Sequence, residues 1–133
     1  MPLRMERHYE NATAIVEFLA SHPKVEKIFY PYHTSHPQQK TAKHQMRNGG
    51  GMISFIVKGG RDAAVRVVEA TKIFALAESL GGVESLIEVP AAMTHLSVVG
   101  SPLEVDPALI RLSVGIENKD DLIEDMQQAL EKA

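Results

Sequence analysis

From residue 3 to 21 apolar positions recur with a helical period. Ala12, Ile15, Phe18 and Leu19 fall three and four residues apart, while Arg4, Glu6, Arg7, Glu10 and Glu17 take the other faces. The spacing predicts a helix there, stopped by Pro23, whose ring cannot continue the helical hydrogen bonds. Val25 to Tyr30 is β-branched and aromatic and is closed by Pro31, which predicts a short strand. Tyr32-His33-Thr34-Ser35-His36-Pro37 is turn chemistry, and Pro37 suits the first turn of a helix running through Ala42 to about Arg47. Asn48-Gly49-Gly50-Gly51 breaks that helix. Met52 to Val57 is apolar apart from Ser54, the pattern of a strand covered on both faces or central in its sheet.

After the turn Gly59-Gly60, a second long helix is expected over about Asp62 to Leu76. It would place Ala64, Val67, Val68 and Phe74 on one side, with Arg61, Arg66, Glu69 and Lys72 elsewhere. Glu78 to Pro90 reads as short extended pieces around the turn Gly81-Gly82, and residues 91–108, with Gly100, Pro102 and Pro107, read as loop. The clearest strand is Leu109 to Ile116, where Ile110, Leu112, Val114 and Ile116 alternate with Leu109, Arg111, Ser113 and Gly115. That alternation puts Arg111 on the less apolar face. A final helix is N-capped by Asn118, has Asp121 three residues on, and turns Leu122, Ile123, Met126, Ala129 and Leu130 inward. Helices interleaved with a few short strands on one core define an α+β two-layer sandwich with helices on one sheet face, leaving the face of Arg111 to solvent or a partner.

Composition narrows the classes. With 133 residues, 44% apolar and 23% charged, the chain reads as one globular domain, residues 1–133. A chain of this length buries roughly two-thirds of its unfolded surface, enough for a core without disulfides or metal. Cysteine is absent, which excludes a disulfide framework, a thiol nucleophile and cysteine-ligated zinc, and fits a reducing compartment. No apolar run approaches the ~18 to 20 residues of a membrane span, and the start Met-Pro-Leu-Arg-Met-Glu-Arg carries charge where a signal peptide is apolar. The expectation is a cytoplasmic protein without a membrane partner. A net charge of −3 and 5% aromatic residues provide no electrostatic footprint for nucleic acid.

Arg111 is the basic residue inside an otherwise apolar strand. Its planar guanidinium either is an exposed-face strand arginine, the commoner case, or grips a carboxylate through two parallel hydrogen bonds. Ser79, between Glu78 and the Gly81-Gly82 turn, either opens that turn or lends its hydroxyl and nearby amides to the same anion. His33, His36 and His44 invite a metal, but no carboxylate falls among them at ligand spacing, so no metal is expected. Ser79, Ser85 and Ser113 lack a nucleophile elbow. The glycine run at 48–51 leads into a strand, without the helix N-terminus that makes a phosphate loop.

The run Ala77-Glu78-Ser79-Leu80-Gly81-Gly82-Val83-Glu84-Ser85-Leu86-Ile87-Glu88, then Pro90-Ala91-Ala92-Met93-Thr94-His95 and Ile110-Arg111-Leu112-Ser113-Val114-Gly115-Ile116-Glu117, resembles the C-terminal domain of the PLP-dependent Cys/Met metabolism (transsulfuration) enzymes, cystathionine γ-synthase and γ-lyase type. Asn11-Ala12, His22-Pro23-Lys24-Val25, Ser35-His36-Pro37 and Gly50-Gly51-Met52-Ile53-Ser54-Phe55 agree with it. The resemblance spans essentially the whole chain. It implies a small, mostly antiparallel sheet with helices on one face, as in fold-type I PLP enzymes. It also implies roles: Arg111 clamping the substrate α-carboxylate, Ser79 in the same pocket, Glu78 facing the distal end of the substrate, and Thr94 close to the pocket.

In such enzymes the cofactor lysine and the groups that hold pyridoxal 5'-phosphate belong to a larger N-terminal domain, and no lysine of this chain falls in the catalytic-lysine motif. The resemblance therefore implies that the N-terminal PLP domain of the same enzyme is the chief partner. PLP belongs to the complete enzyme, a sulfur amino acid is the substrate, and this chain alone holds no cofactor and no catalytic residue. A homo-oligomer is expected. Two other readings stay open: a truncated, non-enzymatic module that self-associates through its sheet face, or a small-ligand-binding α+β domain.

Overall fold

In the computed structural model residues 1–93 and 105–133 are described. Among the described residues there are five helices and five strands. They are α1 (Pro2–Ala20), β1 (Val25–Phe29), α2 (Gln39–Gln45), β2 (Met52–Val57), α3 (Gly60–Ala70), β3 (Ala75–Leu76), β4 (Leu86–Glu88), α4 (Pro90–Met93), β5 (Leu109–Ser113) and α5 (Lys119–Leu130). The strands form one sheet in the order β1-β2-β5-β4-β3, antiparallel except for β3 beside β4. Helices α1, α3 and α5 cover one face, so the architecture is the α+β two-layer sandwich expected from the pattern.

The core lies between that face and the helices. Ile53, Phe55 and Val57 of β2 and Ile110 and Leu112 of β5 point into it, as do Ala12, Ile15 and Leu19 of α1, Val67 of α3, and Leu122, Met126 and Leu130 of α5. Helix α1 starts with proline at its first turn, where the missing N–H costs nothing, and buries His8, Asn11, Ala12, Ile15, Val16 and Leu19 as one stripe. Helix α5 starts where expected, with Asn118 Oδ1 accepting from the amides of Asp120 and Asp121.

Of the two arrangements its apolar run allows, strand β2 takes the second: it lies inside the sheet between β1 and β5, with Met52, Ser54 and Ile56 half-buried on the face away from the core. One element departs from the pattern. Helix α3 ends at Ala70, six residues before the periodicity does, and Ala75–Leu76 is strand. The cause is Asp125 of α5, whose buried carboxylate accepts the amides of Lys72 at 2.8 Å, Ile73 at 2.8 Å and Phe74 at 3.0 Å. Amides that a longer helix would use internally go to a charged acceptor, and the single Thr71 hydroxyl hydrogen is shared between the carbonyls of Val68 at 3.1 Å and Phe74 at 2.9 Å across the break. Phe74 still reaches the core, but from the connection and not from the helix. Two smaller differences follow the same logic. The loop expected at 91–108 opens with the short α4, and β5 leaves its ladder at Ser113, so that Ile116, expected inward, is exposed.

Replacing Asp125 with alanine strands three amides and should cost about 2–4 kcal/mol, read as a lower urea midpoint; an unchanged midpoint would contradict this account of the α3 end. A second expectation concerns acid. Burial first, and Lys24 second, hold the His22 imidazole below its ordinary value of 6.5. The neutral ring accepts the Lys24 amide at Nδ1. The unfolded chain then binds the proton more readily, so this contribution is complete above pH 6.5 and is lost as the pH falls below it. His22→Gln should flatten that part of the stability–pH curve; an identical curve would contradict it.

Candidate functional site

Arg111 lies midway along β5, the central strand, on the face away from the helices. The register sets Phe29, Ser54, Arg111 and Glu88 in one row across four strands. Directly opposed residues of an antiparallel pair stand side by side, so Arg111 and Glu88 meet by construction. Arg111 Nη2 is 2.7 Å from Glu88 Oε1, with the arginine side chain 22% exposed and the glutamate 1%. The same nitrogen donates to the Glu78 carbonyl at 2.7 Å. Nη1 and Nε make no hydrogen bond to a described residue.

Two residues along, Ser113 repeats the pattern on the same face. Its Oγ accepts the amide of Gly81 at 2.8 Å. One strand thus holds the Glu78–Gly81 segment at both ends, at Glu78 through Arg111 and at Gly81 through Ser113. Gly81 has φ +80°, a left-handed conformation that glycine adopts without strain, which lets the segment turn back toward β4. Ser79 lies between the two tethers, exposed, and its hydroxyl makes no hydrogen bond to a described residue. The Glu78 side chain is exposed too; its backbone, not its carboxylate, touches Arg111. Structure therefore brings Arg111, Glu78 and Ser79 to one place. Thr94 lies outside the described residues.

A second network fixes the register behind this row. Glu117 accepts the Ser85 amide and hydroxyl, both at 2.7 Å, and Ser85 Oγ in turn accepts the Gly115 amide at 2.8 Å. A Cβ at Gly115 would collide with the Val83 carbonyl and with Glu117 Oε2, so the close approach of the two segments requires glycine there. From α1, Asn11 Nδ2 donates to the Gly115 and Glu117 carbonyls at 3.0 and 2.8 Å. His8 Nδ1 lies 2.6 Å from the Val114 carbonyl.

The sequence pattern does not point to Glu88, and it presents Ser113 only as a serine without a nucleophile elbow. Glu88 carried the same signal as Arg111, a charge inside an apolar run, but which charges pair depends on strand order. Ser113 follows from the alternation itself, being two residues from Arg111. Of the three histidines weighed as ligands, two serve their own turn, His33 Nδ1 lying 2.6 Å from Ser35 Oγ and His36 Nδ1 accepting the Gln38 amide, and His44 lies on α2. Among the described residues no three His, Asp or Glu side chains cluster as a metal site, and no helix is long and apolar enough to cross a membrane.

The fold and site together define an α+β domain with an arginine, its side chain 22% exposed, on the sheet face away from α1, α3 and α5. The family model described as Cys/Met metabolism PLP-dependent enzyme matches residues 1–131. Cystathionine gamma-synthase of Mycobacterium tuberculosis is 57% identical over 128 residues, 96% of this chain and 33% of that protein. Cystathionine gamma-lyase of Dictyostelium discoideum is 54% identical over 133 residues, covering 98% of this chain and 34% of the relative. The crystal structure of metB from Corynebacterium glutamicum matches with a TM-score of 0.95 and 51% identity, over 98% of this chain and 34% of that one. The chain belongs to the Cys/Met metabolism family of PLP-dependent enzymes. It spans about a third of the length of the curated relatives it matches.

Lys27, the lysine among the described strand residues, sits over the Phe29 ring at 4.9 Å. The hollow beside the row, about 270 Å³ and lined by Phe29, Ser54, Ile56, Val105, Asp106 and Leu109, carries a carboxylate and no cation for a phosphate.

Ser113→Ala should free the Gly81 amide and speed its hydrogen exchange by up to about tenfold, with the β5 amides unchanged. Equal exchange rates at Gly81 would show that Ser113 does not hold the segment.

Proposed function

We propose that residues 1–133 form the substrate-carboxylate-binding domain of a PLP-dependent transsulfuration enzyme of the cystathionine γ-synthase/γ-lyase type, acting by elimination or replacement on sulfur amino acids. The observation that carries this reading is Arg111: a guanidinium on the open sheet face, anchored through a single nitrogen to Glu78 and Glu88. A planar fork held in this way recognises a carboxylate by geometry as well as by charge. Ser79 stands beside it with a free hydroxyl as a further donor. By the resemblance, Glu78 would face the distal end of the substrate and Thr94 would lie close to the pocket.

The uncovered face is where the PLP-carrying part of the enzyme packs in this reading. Phe29, 37% exposed, and the half-buried Ile56 and Leu109 support it, since an apolar surface of this kind is stabilised by a partner. The chain's own part is to bind and orient the carboxylate; the cofactor chemistry lies with residues outside it.

The test is Arg111→Lys. Lysine keeps a cation beside the buried Glu88 but loses the fork. In an NMR titration of the labelled chain, L-methionine should shift the Arg111 side-chain signal saturably, and L-methioninamide should not. Arg111→Lys should weaken L-methionine binding by about tenfold or more at unchanged fold. Equal response to the amide, unchanged affinity in Arg111→Lys, or no saturable shift would overturn the assignment.

A further inference from the structure

The glycine run at 48–51 precedes β2 and opens with Asn48, one of the chain's three asparagines. An asparagine can close a ring on the residue that follows it. The backbone nitrogen of that residue attacks Cγ, ammonia leaves, and the resulting succinimide takes up water to open as isoaspartate or aspartate. Because the step is intramolecular, its rate follows from three local conditions. The following amide must have no partner to give up, no side chain may crowd it, and the side-chain oxygen needs a donor as it gains charge.

Asn48 meets all three. Its Oδ1 accepts the Gly50 amide at 3.0 Å, which sets an N–H on the oxygen that becomes negative when Cγ is attacked. The Gly49 amide donates to no described residue. Gly49 carries no side chain, and the fold keeps it so, since a Cβ there would lie 2.6 Å from Tyr30 Oη. The packing of Tyr30 thus preserves the residue that leaves ring closure unhindered. The other two asparagines are controls within the same molecule. Asn118 has a matching contact, Oδ1 accepting the Asp120 amide at 2.9 Å, but Lys119 follows it with a side chain. Asn11 is fully buried in α1, and its Nδ2, the group that would leave as ammonia, donates to the Gly115 and Glu117 carbonyls.

The segment has little slack for the product. Isoaspartate routes the main chain through Cβ and Cγ, which inserts a methylene between Cα and the next nitrogen. On one side Tyr32 Oη donates to the Met46 carbonyl at 2.7 Å. On the other, Tyr30 Oη donates to the Gly50 carbonyl at 2.7 Å and the Val114 amide to the Gly51 carbonyl at 2.9 Å. An added backbone atom between these ties displaces the Gly50 carbonyl first, because it is the nearest.

We propose that Asn48 is a site of spontaneous covalent modification, converted with Gly49 through a succinimide to isoaspartate and aspartate, and that the isoaspartate form breaks the Tyr30–Gly50 hydrogen bond. That bond ties the buried Tyr30, just after β1, to the entry of β2, so its loss loosens the connection between the two strands. None of this depends on a ligand at Arg111.

Two arms test it on the full 133-residue chain. In the first, the chain is held in mildly alkaline buffer and mapped by peptide mass. The Asn48 peptide should gain about 1 Da, with fragments of both isoaspartate and aspartate, at least about tenfold faster than the Asn11 or Asn118 peptide. Asn48→Gln, which can close only a larger ring, should leave that peptide unchanged over the same time. No gain at Asn48, an equal rate at Asn118, or aspartate without isoaspartate overturns the site. In the second arm the isoaspartate form, isolated by chromatography, is compared with Asn48→Asp, which adds the same carboxylate to a normal backbone. The isoaspartate form should shift the Tyr30 ring signals in NMR and lower the urea midpoint, while Asn48→Asp keeps both close to the parent. Unmoved Tyr30 signals in the isoaspartate form, or equal shifts in Asn48→Asp, overturn the loss of the Tyr30–Gly50 bond.

Discussion

The register of β5 between β2 and β4 is the constraint on which the other features depend. Side chains alternate along a strand, so a slip of one residue would send Ile110 and Leu112 out of the core and carry Arg111 into it. The apolar penalty for that slip makes the register strongly specified. It is also pinned from outside the ladder, by the Ser85–Glu117–Gly115 hydrogen bonds and by Asn11 reaching from α1. Given that register, Ser54, Arg111 and Glu88 must share a row, and the ion pair forms without further adjustment.

Arg111 consequently has two roles that cannot be separated by deletion. It neutralises a buried carboxylate, and it tethers the segment that bears Ser79. An alanine there would remove a cation beside Glu88 along with the fork, and any loss of ligand affinity would be mixed with a loss of packing. A buried pair of this kind is weak evidence of added stability, because desolvation offsets most of the attraction. Its value here is positional: one charged group is held in a fixed plane on a face that is otherwise open.

The same logic of one element deciding the state of another appears at the far side of the molecule. The periodicity of residues 62–76 favours a longer helix, yet the Asp125 carboxylate captures the amides of Lys72, Ile73 and Phe74 and ends it at Ala70. The released chain becomes β3, the edge partner of β4, and leads directly into the Glu78–Gly81 segment. The position of Ser79 therefore depends on a carboxylate some fifty residues later in the chain.

Much of this was legible from local rules. The amphipathic stripe of α1, the bounds of β2, the Asn118 cap of α5 and the alternation of β5 are short-range patterns, and they were enough for the two-layer α+β class and for Arg111 on the uncovered face. The long motifs around Ser79 and Arg111 carried the family. Three features needed the folded chain: the early end of α3, the place of β2 inside the sheet, and the partners of Arg111. Each depends on which segments become neighbours after folding. Alternation specifies the face on which a side chain lies, but only strand order and register specify what stands opposite it, and for Arg111 that is Glu88.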